Sequence, residues 1–523
     1  MTTQTEQQVG ALSKTAAVAT PKDAAAVILL RAHTDPARPE VYWVRRSERL
    51  AFLGGFHAFP GGQRDESDAQ TRVENVADTE TSSMIACAAR ELFEELGVLI
   101  GRGSEALTKG QRASLLDDLE SGRMTFDALL NHYGLHLDAN DFTFVGRWVT
   151  PPFSPRRFDT LFFLAECPAK QEPHVTPGEL ETGEWIAAAD AVARWQRSEI
   201  ITAPPVLHAL KTLADGLDNN LVQRFLNVPQ SRRETVRRIE FRPGFICFPV
   251  RTPTKPPATH TNCYIIGSRE LVILDPASPY EEEQAALAAC VDDLLKEGRT
   301  IREIILTHLH PDHIGGVNAL SKHLGGRVPV AAHRLTAEAL SDSIHVDRFI
   351  EDEELIELAG EPQITLRAMH TPGHARGHLC FYEERTGALV TGDNIVGLGS
   401  VLIDPPEGNM RDYFASLERM SALPNLSVLF GAHGPAIGNA RAKIAEYISH
   451  RRQREENILQ AVRAGATTPQ EIVARVYTDV SPKAHAMAER AVTAHLEKLA
   501  GDRLVTRTGD NLYVANDTNP PAS

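Results

Sequence analysis

A seven-residue stretch, 307–313, carries three histidines and one aspartate in the order Thr-His-Leu-His-Pro-Asp-His. It follows an apolar run, 301–306, that predicts a short strand, and it precedes a segment that predicts a helix. The polar residues therefore lie on a loop at the carboxyl end of a strand, where α/β proteins place binding and catalytic residues. Any single one of the 20 histidines is better explained as a surface residue. The cluster instead indicates a metal site, because zinc favours imidazole and accepts carboxylate ligands.

Within this loop the spacing predicts two neighbouring ions. In an extended segment His308 and His310 point to one ion, while Asp312 and His313 turn toward the next. Three further candidates lie beside glycines after apolar runs: His374 in Thr-Pro-Gly-His, Asp393 after Thr-Gly, and His433 in Gly-Ala-His-Gly. A glycine lets the backbone approach a metal closely. Two ions about 3.5 to 4 Å apart stabilise both the attacking and the leaving oxygen of a hydrolysis.

This series of motifs, HxHxDH followed by TPGH, GD and GAHG, resembles that of the metallo-β-lactamase superfamily at all seven ligand positions. The resemblance implies a four-layer αββα sandwich and a hydrolase that uses a metal-bound hydroxide. It implies two Zn²⁺ ions, one held by His308, His310 and His374, the other by Asp312, His313 and His433, with Asp393 bridging them. A bridging carboxylate is typical of members that cleave thioesters or phosphodiesters, whereas antibiotic-cleaving members carry Cys there. His370 and His378 are expected to be supporting or ordinary loop residues.

Length and composition restrict the class of protein. A chain of 523 residues is long enough for about three domains of roughly 150 residues, and its 42% hydrophobic content supplies sizeable cores. The net charge of -15 gives no overall attraction to nucleic acid or to an anionic membrane. The 6 cysteines show no CxxC pairs, and no apolar run has the length of a signal peptide core or a membrane span. We therefore expect free thiols and a cytoplasmic protein.

A second candidate site lies in the helix-forming segment 89–98, which ends at Gly97. Glu91, Glu94 and Glu95 occupy positions i, i+3 and i+4, so three carboxylates share one helix face. Their mutual repulsion requires a counter-charge, and Mg²⁺ bound through carboxylates and substrate phosphates supplies one. A solvated acidic helix explains the run equally well by itself. The turn Phe-Pro-Gly-Gly at 59–62 favours the metal-binding alternative, because it brings backbone close to a ligand.

The turn at 59–62 and the sequence REx2EExG at 90–97 together resemble the Nudix family of diphosphate hydrolases. The resemblance implies an α/β/α sandwich with Mg²⁺ or Mn²⁺ bound by Glu91, Glu94 and Glu95. The motif region 62–97, which is longer than the family pattern, and its flanking segments, 52–56 and 156–163, look like those of the coenzyme A diphosphatase branch. A nucleoside-diphosphate-linked substrate, such as a coenzyme A-type compound, is implied.

The Nudix-like pattern contains an insertion. Gly62 and Arg90 lie 28 positions apart, twice the separation in the family pattern. The upstream carboxylate of the pattern is therefore open among three residues, which are Asp68, Glu66 and Glu80.

The C-terminal part predicts a winged helix. Its helices are predicted at 456–462, 468–476 and 482–499, and its two-stranded wing at 501–505 and 511–514. Such a module behind the metal-binding region resembles the endoribonuclease-like branch of the superfamily, which implies RNA as a partner. Ten Lys or Arg and eight Asp or Glu between positions 451 and 515 give only a weak basic balance. A solvated face, a substrate lid or a dimer contact is an equal alternative for the third helix.

Two breaks in composition, at 216–234 and at 449–452, suggest the domain organisation. We expect a disordered N-terminus (1–21), a Nudix domain (22–215), a linker (216–239), a metallo-β-lactamase domain (240–450), a winged helix (451–515) and a disordered tail (516–523). The predicted protein is an α/β metal-dependent hydrolase of small phosphate-containing or thioester substrates, with Asp312, Glu94 and Glu95 as catalytic residues. The alternative is an RNA-binding regulatory protein, recruited by its winged helix, whose metal site is endoribonucleolytic or vestigial.

Overall fold

The computed structural model describes residues 18–50, 52–176, 178–478 and 484–516. The segments predicted to be disordered, 1–21 and 516–523, lie almost wholly outside these ranges. The chain forms two compact units that divide between Cys247 and Phe248. No helix in the ranges given combines the length and the apolar composition that a membrane crossing requires.

The main sheet of the first unit is mixed. The strands of this unit are β1 (Lys22–Leu30), β2 (Glu40–Arg46), β3 (His57–Ala58), β4 (Gly61–Gln63), β5 (Val73–Glu74), β6 (Leu137–Asp138), β7 (Thr143–Val149), β8 (Phe158–Glu166), β9 (Leu180–Ala187) and β10 (Ile239–Arg242). The sheet order is β3-β2-β1-β8-β7, with β4 also paired to β1 and β9 to β2. β1 is apolar and buried over most of its length because it is a central strand, parallel to β8.

Six α-helices lie in the described part of this unit: α1 (Thr79–Leu96), α2 (Lys109–Glu120), α3 (Phe126–His132), α4 (Ala188–Gln196), α5 (Pro204–Ala214) and α6 (Leu221–Phe225). The carboxylate of Asp78 accepts a hydrogen bond from the N–H of Thr81 and caps the start of α1. As predicted, α1 ends at Gly97, whose φ of 64° is a conformation that glycine adopts without strain. The apolar face of α1 packs into the main core, whereas Glu91, Glu94 and Glu95 are partly buried.

Two larger sheets lie among the described residues of the second unit. The first includes β11 (Phe245–Arg251), β12 (His260–Gly267), β13 (Glu270–Leu274), β14 (Thr300–Leu306), β15 (Val330–Ala332) and β16 (Arg348–Phe349), in that spatial order. The second consists of β17 (Leu355–Leu358), β18 (Ile364–His370), β19 (Leu379–Glu383), β20 (Ala388–Gly392) and β21 (Val428–Gly431), also in chain order. β14 ends immediately before the histidine cluster. β20 and β21 are parallel, so the loops that follow them meet at one edge.

The helices of this unit are α7 (Glu281–Lys296), α8 (Pro311–Ile314), α9 (Val317–His323), α10 (Arg334–Leu340), α11 (Met410–Ser421), α12 (Ala440–Arg463), α13 (Pro469–Val476) and α14 (His485–Gly501). A hairpin of β22 (Val505–Gly509) and β23 (Leu512–Ala515) follows. α8 lies on the histidine cluster itself, where the sequence predicted a loop, because Pro311 is suited to the first helical position.

The C-terminal helices agree in number with the sequence prediction and differ in their bounds. α12 begins at Ala440 and continues through the position at which we placed a domain boundary, 450/451. α13 begins at Pro469, one residue after the predicted start, and the side chain of Thr468 caps it. α14 is described from His485, and the first residues of the predicted third helix, 482–483, lie outside the described residues. The domain bounds given above remain a prediction.

Candidate metal centres

The seven side chains predicted as ligands in the second unit lie together at the loop ends of its two sheets. They come from the loop after β14, from α8 and from the loops after β18, β20 and β21. Three overlapping groups of potential ligand atoms each lie within 4.8 Å. The groups are His308, His310 and His374; His308, His313 and Asp393; and Asp312, His313 and His433.

The first group is formed by three imidazoles. Nδ1 of His310 lies 3.0 Å from Nε2 of His308 and 2.9 Å from Nε2 of His374. One oxygen of Asp393, Oδ2, lies 3.5 Å from the same His374 nitrogen. Three nitrogens and one oxygen therefore converge, the type and number of donors found in tetrahedral zinc sites.

The ligand candidates His313 and His433 face the other oxygen of Asp393. Its Oδ1 lies 3.4 Å from Nε2 of His313 and 3.3 Å from Nε2 of His433. Oδ2 of Asp312 lies 3.7 Å from the same His433 nitrogen. Asp393 thus faces His374 with one carboxylate oxygen, and it faces His313 and His433 with the other.

A cation fits the bonding of these residues. Nε2 of His313 and Oδ1 of Asp393 are buried and have no hydrogen-bond partner within the described part of the chain. A buried polar atom without a partner typically costs about 1–3 kcal/mol, so such atoms are rare away from sites that bind something. Two of them face one another here, and both belong to the convergent set.

The protonation states of His308, His374 and Asp393 suit metal binding. Burial lowers the pKa of His308 well below its usual value and that of His374 to about 3, so both rings are neutral. Burial acts in the same direction on His433, but the neighbouring Asp393 outweighs it and raises the pKa of His433. Burial alone would raise the pKa of Asp393, yet His433 and His313 hold it well below its usual value. Neutral imidazoles and an ionised carboxylate are the forms that bind metals. Asp393 also raises the pKa of His313, so His313 and His433 would have to release a proton to bind an ion.

In four of the histidine ligand candidates, the ring nitrogen Nδ1 contacts an oxygen atom of a nearby residue. Nδ1 of His374 lies 2.8 Å from the carbonyl oxygen of Leu402, Nδ1 of His433 2.8 Å from that of His260, Nδ1 of His308 3.0 Å from the Thr307 hydroxyl, and Nδ1 of His313 2.8 Å from Asp275 Oδ2. Contacts of this kind fix the tautomer and the orientation of a metal-binding imidazole. Asp275 was missed from the sequence, where it is simply the polar residue after an apolar run.

The two flanking histidines take different positions. His378 is fully buried behind the cluster, and its Nε2 lies 3.2 Å from the backbone N–H of Asp393, which donates to it. His370 lies farther from the cluster, with Nε2 2.8 Å from the carbonyl oxygen of Arg376 and its ring stacked on His333. His378 therefore supports the Asp393 backbone, whereas His370 belongs to the loop.

In the first unit, the predicted carboxylates surround Arg90. Nη1 of Arg90 lies 2.9 Å from Oε1 of Glu91 and 2.8 Å from Oε2 of Glu94. Glu95 points to the glycine turn, where its Oε2 accepts a hydrogen bond of 2.9 Å from the N–H of Gly61. Because the carboxylates spread around the guanidinium, they are not among the close ligand groups within the described residues, all of which lie in the second unit.

The glycine turn leaves room for the acidic residues. A Cβ atom on Gly62 would lie 2.4–2.6 Å from the carboxylate atoms of Glu91. Burial raises the pKa of Glu91 to about 7, against the opposing effect of Arg90, and raises that of Glu95 to about 8. Carboxylates that are this reluctant to ionise are the ones that an added cation would stabilise most.

The structure distinguishes the three candidates for the upstream carboxylate. Asp68 is buried and receives two hydrogen bonds from Arg90, of 2.8 Å from Nε and 3.0 Å from Nη2. Glu66 is exposed, and Glu80 instead pairs with Arg147. Asp68 is therefore the upstream carboxylate that joins the Arg90 network.

Three sequence profiles match the chain in the predicted order. They are "NUDT19 Nudix domain" over residues 79–213, "Metallo-beta-lactamase superfamily" over 256–433 and "Beta-lactamase associated winged helix domain" over 468–513.

Curated relatives match about half of the chain. "Lactamase-like protein adaB" of Aspergillus niger is 32% identical over 267 residues, 48% of this chain and 78% of that protein. "Atrochrysone carboxyl ACP thioesterase" of Aspergillus chevalieri is 33% identical over 260 residues, 47% of this chain and 77% of that protein.

Solved structures of two families are also similar to parts of the chain. A metallo-beta-lactamase family protein from Thermus thermophilus is 25% identical, with a TM-score of 0.43, and covers 52% of this chain and 99% of its own. A NUDIX hydrolase from Alicyclobacillus acidocaldarius is 32% identical, with a TM-score of 0.35, and covers 39% of this chain and 97% of its own. The chain is a hydrolytic enzyme of mixed α/β fold that belongs to the metallo-β-lactamase superfamily, with a Nudix domain before that region and a winged helix after it.

Proposed function

We propose that the second unit hydrolyses thioesters at a two-metal site. The observation that carries this proposal is the position of Asp393, whose two oxygens face two separate groups of ligand side chains. A relative named as an acyl-carrier-protein thioesterase supports the thioester over the phosphodiester alternative. The substrate is accordingly an acyl group joined through sulfur to a small carrier molecule or carrier domain.

We further propose Zn²⁺ as the metal. His308, His310 and His374 would hold one ion, Asp312, His313 and His433 the other, and Asp393 both, since this donor set is rich in imidazole. When bound, the ions supply an activated water and stabilise the negative charge that develops on the carbonyl oxygen. The four neighbours of the imidazole Nδ1 atoms keep each Nε2 free to bind. Asp312, whose pKa is lowered by His313 and His433 although burial opposes this, is an ionised acceptor that can orient the attacking water.

For the first unit we propose hydrolysis of a nucleoside-diphosphate-linked substrate of the coenzyme A type. Glu91, Glu94 and Glu95 would hold Mg²⁺ or Mn²⁺ together with substrate phosphates. Glu94 and Glu95 are the proposed catalytic carboxylates. The close approach of Gly62 to Glu91 and the raised pKa values of Glu91 and Glu95 support a cation at this position.

Separate inactivation of the two sites tests both assignments. The purified chain and its His308→Ala and Glu94→Gln variants would be assayed with acyl thioesters, phosphodiesters including RNA, and dinucleotide diphosphates. We expect His308→Ala to abolish thioester cleavage alone and Glu94→Gln to abolish diphosphate cleavage alone. Cleavage of phosphodiesters, with no thioester cleavage, by the unmodified chain would reject the thioester assignment.

The same assay addresses the RNA-binding alternative. Two cationic residues on the third helix of the winged helix are already paired within the second unit: Arg490 with Asp404, and Lys498 with Glu455 and Asp502. RNA that binds tightly, while neither substitution changes any turnover, would favour the regulatory alternative over an enzyme.

A further inference from the structure

The loop between β20 and α11 contacts both histidine loops of the proposed metal site. The N–H of Gly397 donates to the carbonyl oxygen of His433 at 2.7 Å. Farther along, the carbonyl oxygen of Leu402 lies 2.8 Å from Nδ1 of His374. The N–H of Asn409 then donates to the carbonyl oxygen of Gly373 at 2.8 Å. The orientation of the His374 ring therefore depends on where this loop holds Leu402.

Arg451 of α12 fixes the loop one residue before Leu402. Its side chain is buried, and Nη2 donates a hydrogen bond to the carbonyl oxygen of Val401. The guanidinium also lies 5.4 Å from the centre of the Tyr413 ring, and the Tyr413 hydroxyl donates to the carbonyl oxygen of Asn394 at 2.7 Å. Asn394 follows the bridging Asp393. The buried Arg451 side chain thus contacts both the loop and the Tyr413 ring. Tyr413 in turn supports the first residues of the loop through its hydrogen bond to Asn394.

Arg490 of α14 fixes the loop two residues after Leu402. Its Nε lies 2.6 Å from Oδ1 of Asp404. The two contacts on either side of Leu402 thus come from two different C-terminal helices.

The same helix is anchored by packing. Ala494, one turn after Arg490, lies in the same apolar cluster as Tyr413 and Leu417 of α11. Lys498, one turn later, has Nζ 5.3 Å from the centre of the Phe414 ring. α14 is consequently packed against α11, the helix that directly follows the loop. This packing fixes the position of the backbone that carries Arg490.

We propose that the winged helix is a positioning element of the metal site. Arg451 and Arg490 hold residues 401–404 so that the Leu402 carbonyl fixes the tautomer and direction of the His374 imidazole. The inference rests on the proposed function, because it assigns the C-terminal module a part in the metal binding proposed for His374. It gives this module a role that requires no nucleic acid.

Charge reversal across the Arg490–Asp404 pair tests the proposal. The pair is suitable because Arg490 is 61% exposed, so its replacement does not bury a charge. Arg490→Asp, Asp404→Arg and the double variant would be made in the full chain. Zinc retention would be measured by competition with a chelator, and the Co²⁺ absorption spectrum and the separate kcat and KM for a thioester would be recorded.

We expect each single reversal to weaken zinc retention by about ten-fold, the lower end of the range for residues that orient metal ligands. The Co²⁺ spectrum and kcat should change with it, and the double variant should recover most of the loss. Arg452→Glu is the matched control, because Arg452 forms a comparable exposed pair with Glu418 of α11, 2.9 Å away. It should leave zinc retention and the spectrum unchanged.

Single reversals that retain zinc and turn over like the unmodified chain would overturn the proposal. So would single reversals whose defect the double variant does not relieve, because the charge pairing would then not be the cause. An unmodified chain that takes up no divalent metal would instead reject the proposed function, and this inference with it. The two failures are therefore distinguishable.

Discussion

Asp275 and His313 form a buried pair, with Oδ2 of the carboxylate 2.8 Å from Nδ1 of the ring. The same carboxylate accepts hydrogen bonds from the Thr307 N–H, at 2.8 Å, and from its hydroxyl, at 2.6 Å. Asp275 therefore joins the first residue of the histidine cluster to the last. It also directs Nε2 of His313 toward Asp393.

We expect Asp275→Asn to weaken zinc binding by about 10–100-fold, the usual effect of removing a carboxylate behind a metal-binding imidazole. An amide would present N–H groups to the Thr307 hydroxyl or to the ring N–H, which are themselves donors. Chelator competition measures the change. Asp292→Asn is the control, since Asp292 makes a similar 2.8 Å contact with His323 on the surface. Equal zinc affinities for the two variants would show that Asp275 has no part in orienting His313.

The ligand candidates could be predicted from the sequence because each lies in a short motif beside a glycine or a strand end. Asp275 could not, because an aspartate after the apolar run 271–274 is common at the end of any strand. Its role arises from the parallel pairing of β13 with β14, in which the N–H of Asp275 donates to the carbonyl oxygen of Ile305 at 3.0 Å. That pairing brings Asp275 beside Thr307, a relationship that only the assembled sheet creates.

In the first unit we expect Gly62→Ala to reduce diphosphate hydrolysis and Mg²⁺ binding. The added methyl group would overlap the Glu91 carboxylate, with 2.4–2.6 Å separations that force Glu91 to move. Gly110→Ala is the control, because a Cβ there meets nothing within 4 Å and alanine favours a helix. Steady-state turnover and Mg²⁺ titration measure the effect. A Gly62→Ala protein with unchanged Mg²⁺ affinity would show that Glu91 does not bind the cation.

The insertion before α1 shows where sequence prediction stops. Spacing left the upstream carboxylate open among Asp68, Glu66 and Glu80, because the inserted residues shift any count from Gly62. In the structure residues Glu66–Ala69 form a short 3-10 helix that turns Asp68 inward to Arg90. Burial and pairing therefore favour Asp68, and neither is visible in the spacing.

We expect Asp68→Ala to destabilise the first unit by about 3 kcal/mol, because it leaves the Arg90 guanidinium buried without its main partner. All four tryptophans of the chain, Trp43, Trp148, Trp185 and Trp195, lie in this unit, so the urea dependence of tryptophan fluorescence reports its unfolding selectively. Asp117→Ala is the control. It removes an exposed partner of Arg123 and should leave the unfolding midpoint unchanged. Equal midpoints for both variants would contradict the proposed importance of the buried pair.

The raised pKa values of Glu91 and Glu95 predict a pH-dependent stability. Burial places these pKa values at about 7 and about 8, above the ordinary value of 4.5, so the folded state binds more protons than the unfolded state between those limits. Without a divalent cation the first unit should therefore lose stability as the pH rises through 7 and 8. The contribution of these two residues should be fully present only below about pH 4.5.

Mg²⁺ should oppose this loss of stability at high pH. The cation binds ionised carboxylates, and each proton it displaces costs about ten-fold in apparent affinity per pH unit below the pKa. The increase in melting temperature caused by Mg²⁺, followed by tryptophan fluorescence, should therefore be larger at about pH 8.5 than at about pH 6, on either side of these pKa values. The Glu91→Gln, Glu95→Gln double variant should show neither dependence. A Mg²⁺-induced increase that is the same at both pH values in the unmodified chain would exclude these two glutamates as the groups that the cation binds.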